Sequence, residues 1–97
     1  MTAQKFVTEC SQSGLKIEAA ILFGSHAQNR QSEHSDIDLA LVSSDFGKNF
    51  LENNHKTSKV NIRFPDIEVH HFNKDYFEKG DPFIDEINKT GIKLAID

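Results

Sequence analysis

A glycine-serine pair, two aspartates two residues apart and a later acid set between apolar residues are the parts of this chain equipped for chemistry. Gly24-Ser25 stands where an apolar run ends, Asp36 and Asp38 follow it, and Asp66 and Glu68 come later. On a strand, residues i and i+2 project from one face about 6.5–7 Å apart, so Asp36 and Asp38 can lean onto one hard cation or two neighbouring ones. Mg²⁺ ions roughly 4 Å apart neutralise a triphosphate, lower the pKa of an attacking hydroxyl and stabilise a leaving pyrophosphate, which is how phosphoryl and nucleotidyl transfer use such clusters. With no side chain at Gly24 the backbone can approach a phosphate, and the amide and hydroxyl of Ser25 can donate to its oxygens.

These groups need elements to hold them. Thr2 to Ser13 reads as a helix, with Phe6, Val7 and Cys10 at helical spacing and Gly14 at its end. Leu15 to Phe23 alternates through Leu15, Ile17, Ala19, Ile21 and Phe23, a strand that stops at Gly24-Ser25. His26 to Arg30 reads as a polar turn. Asp36 to Ser43 alternates again, with Ile37, Leu39 and Leu41 on one face and Asp36, Asp38, Ala40 and Val42 on the other. Asp45 can cap a helix bearing Phe46, Phe50 and Leu51, which either continues through Glu52 to Lys59 or loops there. Val60, Ile62 and Phe64 suit a strand or a helix end, closed by Pro65. Asp66 to Phe72 is a third strand, with Ile67 and Val69 toward the core and Asp66, Glu68 and His70 on the other face. Asp81-Pro82 opens a helix carrying Phe83, Ile84 and Ile87, Gly91 stops it, and Ile92, Leu94 and Ile96 suit an edge strand. The order implies an α+β fold: a small mixed β-sheet with helices packed on one face and acids on the other.

Composition narrows the function. Ninety-seven residues, 37% apolar and 27% charged, suit a single domain spanning 1–97. A net charge of -4 repels a phosphate backbone, and Lys and Arg form no cluster, so nucleic acid is an unlikely partner. No apolar run approaches the ~20 residues of a membrane span, the N-terminus lacks a signal-peptide core, and the lone Cys10 has no disulfide mate. A cytoplasmic location is expected.

Leu22-Phe23-Gly24-Ser25, Ala27 and Ser35-Asp36-Ile37-Asp38-Leu39 resemble the signature of the DNA polymerase β nucleotidyltransferase superfamily, and within it the minimal nucleotidyltransferases. The pattern of apolar strand, Gly-Ser, Asp-x-Asp on a second strand and an acid on a third runs from Ile21 to Phe72, and the joint spacing is far more specific than either short motif. The resemblance implies the nucleotidyltransferase fold, Asp36 and Asp38 as ligands of two Mg²⁺ ions, and Gly24, Ser25 and Ser35 at the nucleotide. A third carboxylate would be the base or a further metal ligand. Glu68, mid-strand between Ile67 and Val69, fits better than Asp66, which begins the strand after Pro65. The chain departs from the family where Arg-Gly usually follows, having Gln28-Asn29 instead, with Arg30 placed to reach the triphosphate.

The expected activity is Mg²⁺-dependent transfer of AMP from ATP to a hydroxyl. Larger relatives carry extra domains for their second substrate and this chain has none to spare, so the expected acceptor is another protein. By resemblance that partner is a small helical HEPN-domain protein, often a toxin modified on tyrosine by its antitoxin. The competing reading is a weakened nucleotide-binding or partner-binding module of the same fold. Among the five histidines none has zinc-type spacing with cysteine; His70 and His71 point to opposite faces, and His70 on the acid face is a candidate substrate contact. Cys10 reads as a small buried hydrophobe.

Overall fold

The structure is a computed structural model and describes residues 2–24, 27 and 36–96. Its elements run α1 (Thr2–Gln12), β1 (Ile17–Phe23), β2 (Ile37–Ser43), α2 (Phe50–Asn61), β3 (Ile67–Asn73), α3 (Lys74–Lys79), α4 (Pro82–Thr90) and β4 (Ile92–Lys93). The strands form one sheet in the order β3-β2-β1-β4, antiparallel except for the parallel pair of β2 and β3. This is the expected α+β class with a small mixed sheet.

α1 and α2 cover one face. Phe6, Val7 and Cys10 pack with Ile17, Ala20, Leu39, Leu41 and Ile67, and Val60 joins them from α2. Burying each of the large apolar side chains among them, such as Phe6, Leu39 or Leu41, stabilises by roughly 1.5–3 kcal/mol relative to exposure. Cys10 lies within this core, and burial, helped by Glu9, pushes its thiol up to about 12, so it packs as a hydrophobe and not as a nucleophile. Helix coverage extends further than expected: Ile87 of α4 and Phe77 of α3 pack with Ile21, Phe23, Ala40 and Phe72 on the opposite, acid-bearing face.

That second cluster exists because β1 does not keep the simple alternation expected for it. The register shifts between Ile17 and Ala19, from Ile17 opposite Ser43 to Ala19 opposite Val42. One extra residue reverses the facing of everything beyond it. Ala20 and Leu22 therefore sit opposite Leu41 and Leu39, while Ile21 and Phe23 sit opposite Ala40 and Asp38. The bulge delivers Phe23 to the acid face.

α2 also starts later than Asp45 would place it. Its cap is Asn49, whose side chain accepts from the Glu52 amide at 3.0 Å, while the Asn53 side chain both donates to and accepts from the backbone of Gly47. Asp45 instead accepts from the Lys16 amide at 2.9 Å. Phe46, outside the helix, is buried in the core, whereas Phe50 and Leu51 are exposed. Val60 and Ile62 belong to the helix end, settling that alternative. α4 follows expectation: Asp81 caps it by accepting from the Ile84 amide at 2.8 Å, and Gly91 ends it where a Cβ would strike Ile21 and come within 3.1 Å of the Leu22 carbonyl. β4 pairs with β1 at the sheet edge.

Candidate active site

The parallel register sets Asp38 beside Glu68 and Ala40 beside His70. Alternation then turns Asp38, Glu68 and His70 to the same face. Each contributes a ligand atom to a cluster in which all such atoms lie within 4.8 Å of one another. His70 Nε2 is 3.4 Å from Asp38 Oδ1 and 4.0 Å from Glu68 Oε2. The imidazole is held by rings, with Phe23 edge-on at 5.0 Å and Phe83 at 6.0 Å. Asp38 is three-quarters covered, and Glu68 is open to solvent.

Gly24 completes one side. Its φ of +76° lies in the left-handed region, and a Cβ built on it would fall onto the Asp38 carboxylate. The turn after β1 is thus a cradle that only glycine leaves open, with the peptide backbone directly against a site carboxylate. The donor set fits a hard divalent cation: two carboxylates offer oxygen ligands and leave positions for phosphate oxygens and water. The imidazole, a better ligand for softer ions, is placed to steer Asp38 by hydrogen bonding, with Glu68 4.0 Å away.

Of the residues singled out in the sequence, the structure brings Gly24, Asp38, Glu68 and His70 together. Asp36 is not in the cluster. It is exposed, one residue before β2, where the ladder no longer fixes the direction of a side chain; it lines a hollow of about 390 Å³ together with Glu68. Asp66, the alternative to Glu68, is likewise outside the cluster, ahead of β3, and its carbonyl accepts from the Ile37 amide at 2.8 Å. Ser25, Arg30 and Ser35, with the Gln28-Asn29 departure, lie outside the described residues. His71 points to the α2 face as expected, its Nε2 2.9 Å from Thr57 Oγ1.

Sequence reasoning missed the aromatic wall. Phe23, Phe83 and Phe72 stand around His70, with Phe23 and Phe83 packed edge to face at 5.7 Å and Phe72 and Phe83 centred 6.1 Å apart. Phe83, in the apolar stripe of the helix opened by Asp81-Pro82, was the available signal, and the stripe alone does not say that its ring stands beside His70. Phe23 was hidden by the bulge.

A mixed sheet with acids on adjacent parallel strands, beside a glycine turn closing the preceding hairpin strand, is the architecture of a nucleotidyltransferase domain. The family model Polymerase beta, Nucleotidyltransferase, matches residues 5–96, and the chain belongs to that family. Among solved structures, a candidate nucleotidyltransferase from Sulfolobus solfataricus superposes with a TM-score of 0.71 at 24% identity, covering 95% of this chain and 75% of that one. A toxin–antitoxin structure with AMP-PNP gives a TM-score of 0.68 at 18% identity over 97% of this chain and 73% of that one. A mutant MntA–HpeT toxin–antitoxin, with two aspartates two positions apart each changed to glutamate, gives 0.64 at 17% identity over the same shares, 97% and 73%. At these identities the likeness is one of fold. No curated protein matches the sequence. Among the described residues no helix is long and apolar enough to cross a membrane.

Proposed function

We propose that this protein transfers AMP from ATP to a hydroxyl group of a partner protein. The observation that carries the reading is the convergence of Asp38 and Glu68, from adjacent strands, beside the open Gly24 turn. Asp38 and Asp36 would hold Mg²⁺, two ions in all, with Glu68 as third ligand or base. Bound there, the metal neutralises the triphosphate and favours departure of pyrophosphate. Gly24 and Ser25 would seat the phosphates, with Arg30 and Ser35 at the nucleotide. The acceptor oxygen attacks the α-phosphorus, an O–P bond forms, the bond to the β-phosphate breaks, and the hydroxyl proton passes to the Glu68 carboxylate. His70 orients Asp38. The solved neighbours support this choice: one toxin–antitoxin was seen with AMP-PNP, and the mutated positions in another are aspartates two apart, the spacing of Asp36 and Asp38. They also support a protein partner, for which a helical HEPN-domain protein is our candidate; a cytoplasmic setting belongs to the same proposal and rests on the sequence expectation alone.

The test is transfer of labelled AMP from ATP to a co-expressed partner. Transfer that requires Mg²⁺ and vanishes in Asp38→Asn is the expected result. A protein that neither binds Mg-ATP nor modifies any partner would instead be a non-catalytic module of the same fold.

A further inference from the structure

β3 is the outermost strand and, among the described residues, pairs only with β2. Its outward backbone follows from the register. Ile37 pairs with Ile67, and its N–H donates to the Asp66 carbonyl at 2.8 Å. In a parallel ladder this turns the backbone groups of Glu68 and His70 toward β2 and those of Ile67, Val69 and His71 away from it. At Ile67 the outward groups are satisfied: its N–H donates to the Phe64 carbonyl at 3.1 Å, and its carbonyl accepts from Asn61 Nδ2 at 3.1 Å. Among the described residues no hydrogen bond reaches the outward backbone groups of Val69 or His71.

A groove follows this edge. Three hollows of about 390, 350 and 480 Å³ lie along it; the first two share Phe50 and Val69, and the last two share His71 and Phe72. Glu68 lines the first two and Lys48 the last, so the groove is acidic at one end and basic at the other. Phe50 and Phe83 flank it, 72% and 47% exposed. Edge strands normally carry charges, prolines or bulges that discourage pairing, and β3 shows none of these along Val69 to Phe72.

We propose that this edge receives an extended segment of the acceptor protein, which adds to β3 as a further strand, carries a hydroxyl residue past Glu68 and sets an acidic residue toward Lys48. The inference rests on the function proposed above and names the form its acceptor takes. Strand addition supplies affinity through main-chain hydrogen bonds and specificity through alternate side chains. Residues directly opposite on paired strands have Cβ atoms about 4.5–5.5 Å apart, so every second residue of the segment lies beside the Glu68 face. Glu68 and Phe72 are four positions apart, about 13 Å along a strand, which sets the hydroxyl and acidic residues about four apart in the segment.

The probe is a nine-residue peptide with valine at alternate positions, a serine, and a glutamate four residues from it; a twin carries lysine in place of the glutamate. Binding is read by amide hydrogen exchange. The glutamate peptide should slow exchange at Val69 and His71 at least tenfold and leave Ile67 unchanged, and Lys48→Glu should reverse the preference between the two peptides. Unchanged exchange at Val69 and His71 under saturating peptide overturns the proposal, as does a preference that survives Lys48→Glu. The melting shift given by Mg-ATP is measured in parallel, and Lys48→Glu should leave it intact. Protection of the edge without any such shift upholds strand docking while sinking the transfer reading; a shift without protection does the reverse.

Discussion

Gly24 lies against Asp38 so closely that a single added methyl group would occupy the space of the carboxylate. The two meet because Phe23, the last residue of β1, pairs with Asp38 across the antiparallel ladder, and the chain then turns at φ +76°. The backbone at Gly24 and the Asp38 carboxylate are thereby brought to one point from two strands. A phosphate on one and a cation on the other would neutralise each other there.

Gly24→Ala should therefore fail twice. An alanine in the left-handed region costs about 1–2 kcal/mol, and its Cβ must push Asp38 aside. Urea denaturation should show a loss of at least that size, and the Mg-ATP melting shift should disappear even at temperatures where the variant is folded. A variant that keeps the full shift would show that the Gly24 cradle is irrelevant to nucleotide.

Ligand binding raises stability by mass action, so Mg-ATP should raise the melting temperature of the native chain. Asp36→Asn combined with Asp38→Asn should abolish the effect. Taken singly, Asp38→Asn should cost more than Asp36→Asn, because Asp38 belongs to the cluster with Glu68 and His70 and Asp36 stands before the ladder begins. Equal losses would mean that the two aspartates converge only when nucleotide is bound.

Glu68→Gln keeps the shape and reach of the side chain and removes its charge. Nucleotide should still bind while AMP transfer falls by about 10²-fold or more, the usual loss with a general base. Asp66→Asn should change transfer little, since Asp66 is not in the cluster that Asp38 forms with Glu68 and His70. The opposite pattern would move the third carboxylate to Asp66 and leave the family membership untouched.

How much of this was legible in the sequence depends on how local the controlling interaction is. β2 and β3 could be read because acids alternate with apolar residues in Ile37-Asp38-Leu39 and Ile67-Glu68-Val69, and that pattern with the parallel register turns Asp38 and Glu68 to the same side. α4 was legible from Asp81-Pro82 and Gly91, all contacts within a turn. The start of α2 was not, because Asp45 and Asn49 are both able caps, and Asp45 is taken instead by the amide of Lys16, distant in sequence, in the connection between α1 and β1. The bulge in β1 leaves no mark on composition, so the arrival of Phe23 beside His70 was invisible. α3 was missed because six residues with few apolar positions carry little periodicity, and its cap, Asn73, is also the last residue of β3.

His71 supplies a pH test away from the site face. Burial against Phe46, whose ring lies edge-on at 4.8 Å, and the neighbouring His70 lower its pKa from 6.5 to about 4. The folded protein thus holds His71 neutral where the unfolded chain would take up a proton. The resulting stabilisation is fully present above pH 6.5 and is lost as pH falls from 6.5 toward 4, because below 6.5 the unfolded state binds more protons. Urea midpoints measured downward from neutral pH should fall through this window, and His71→Gln, which can still hydrogen-bond to Thr57, should flatten the decline in its upper part, before most carboxylates titrate. The imidazole resonance of His71 should stay at its neutral position until well below pH 6, while the other histidines are followed in the same spectra. A His71 signal that titrates near 6.5 would show that the ring reaches solvent and that the Thr57 contact does not hold it neutral.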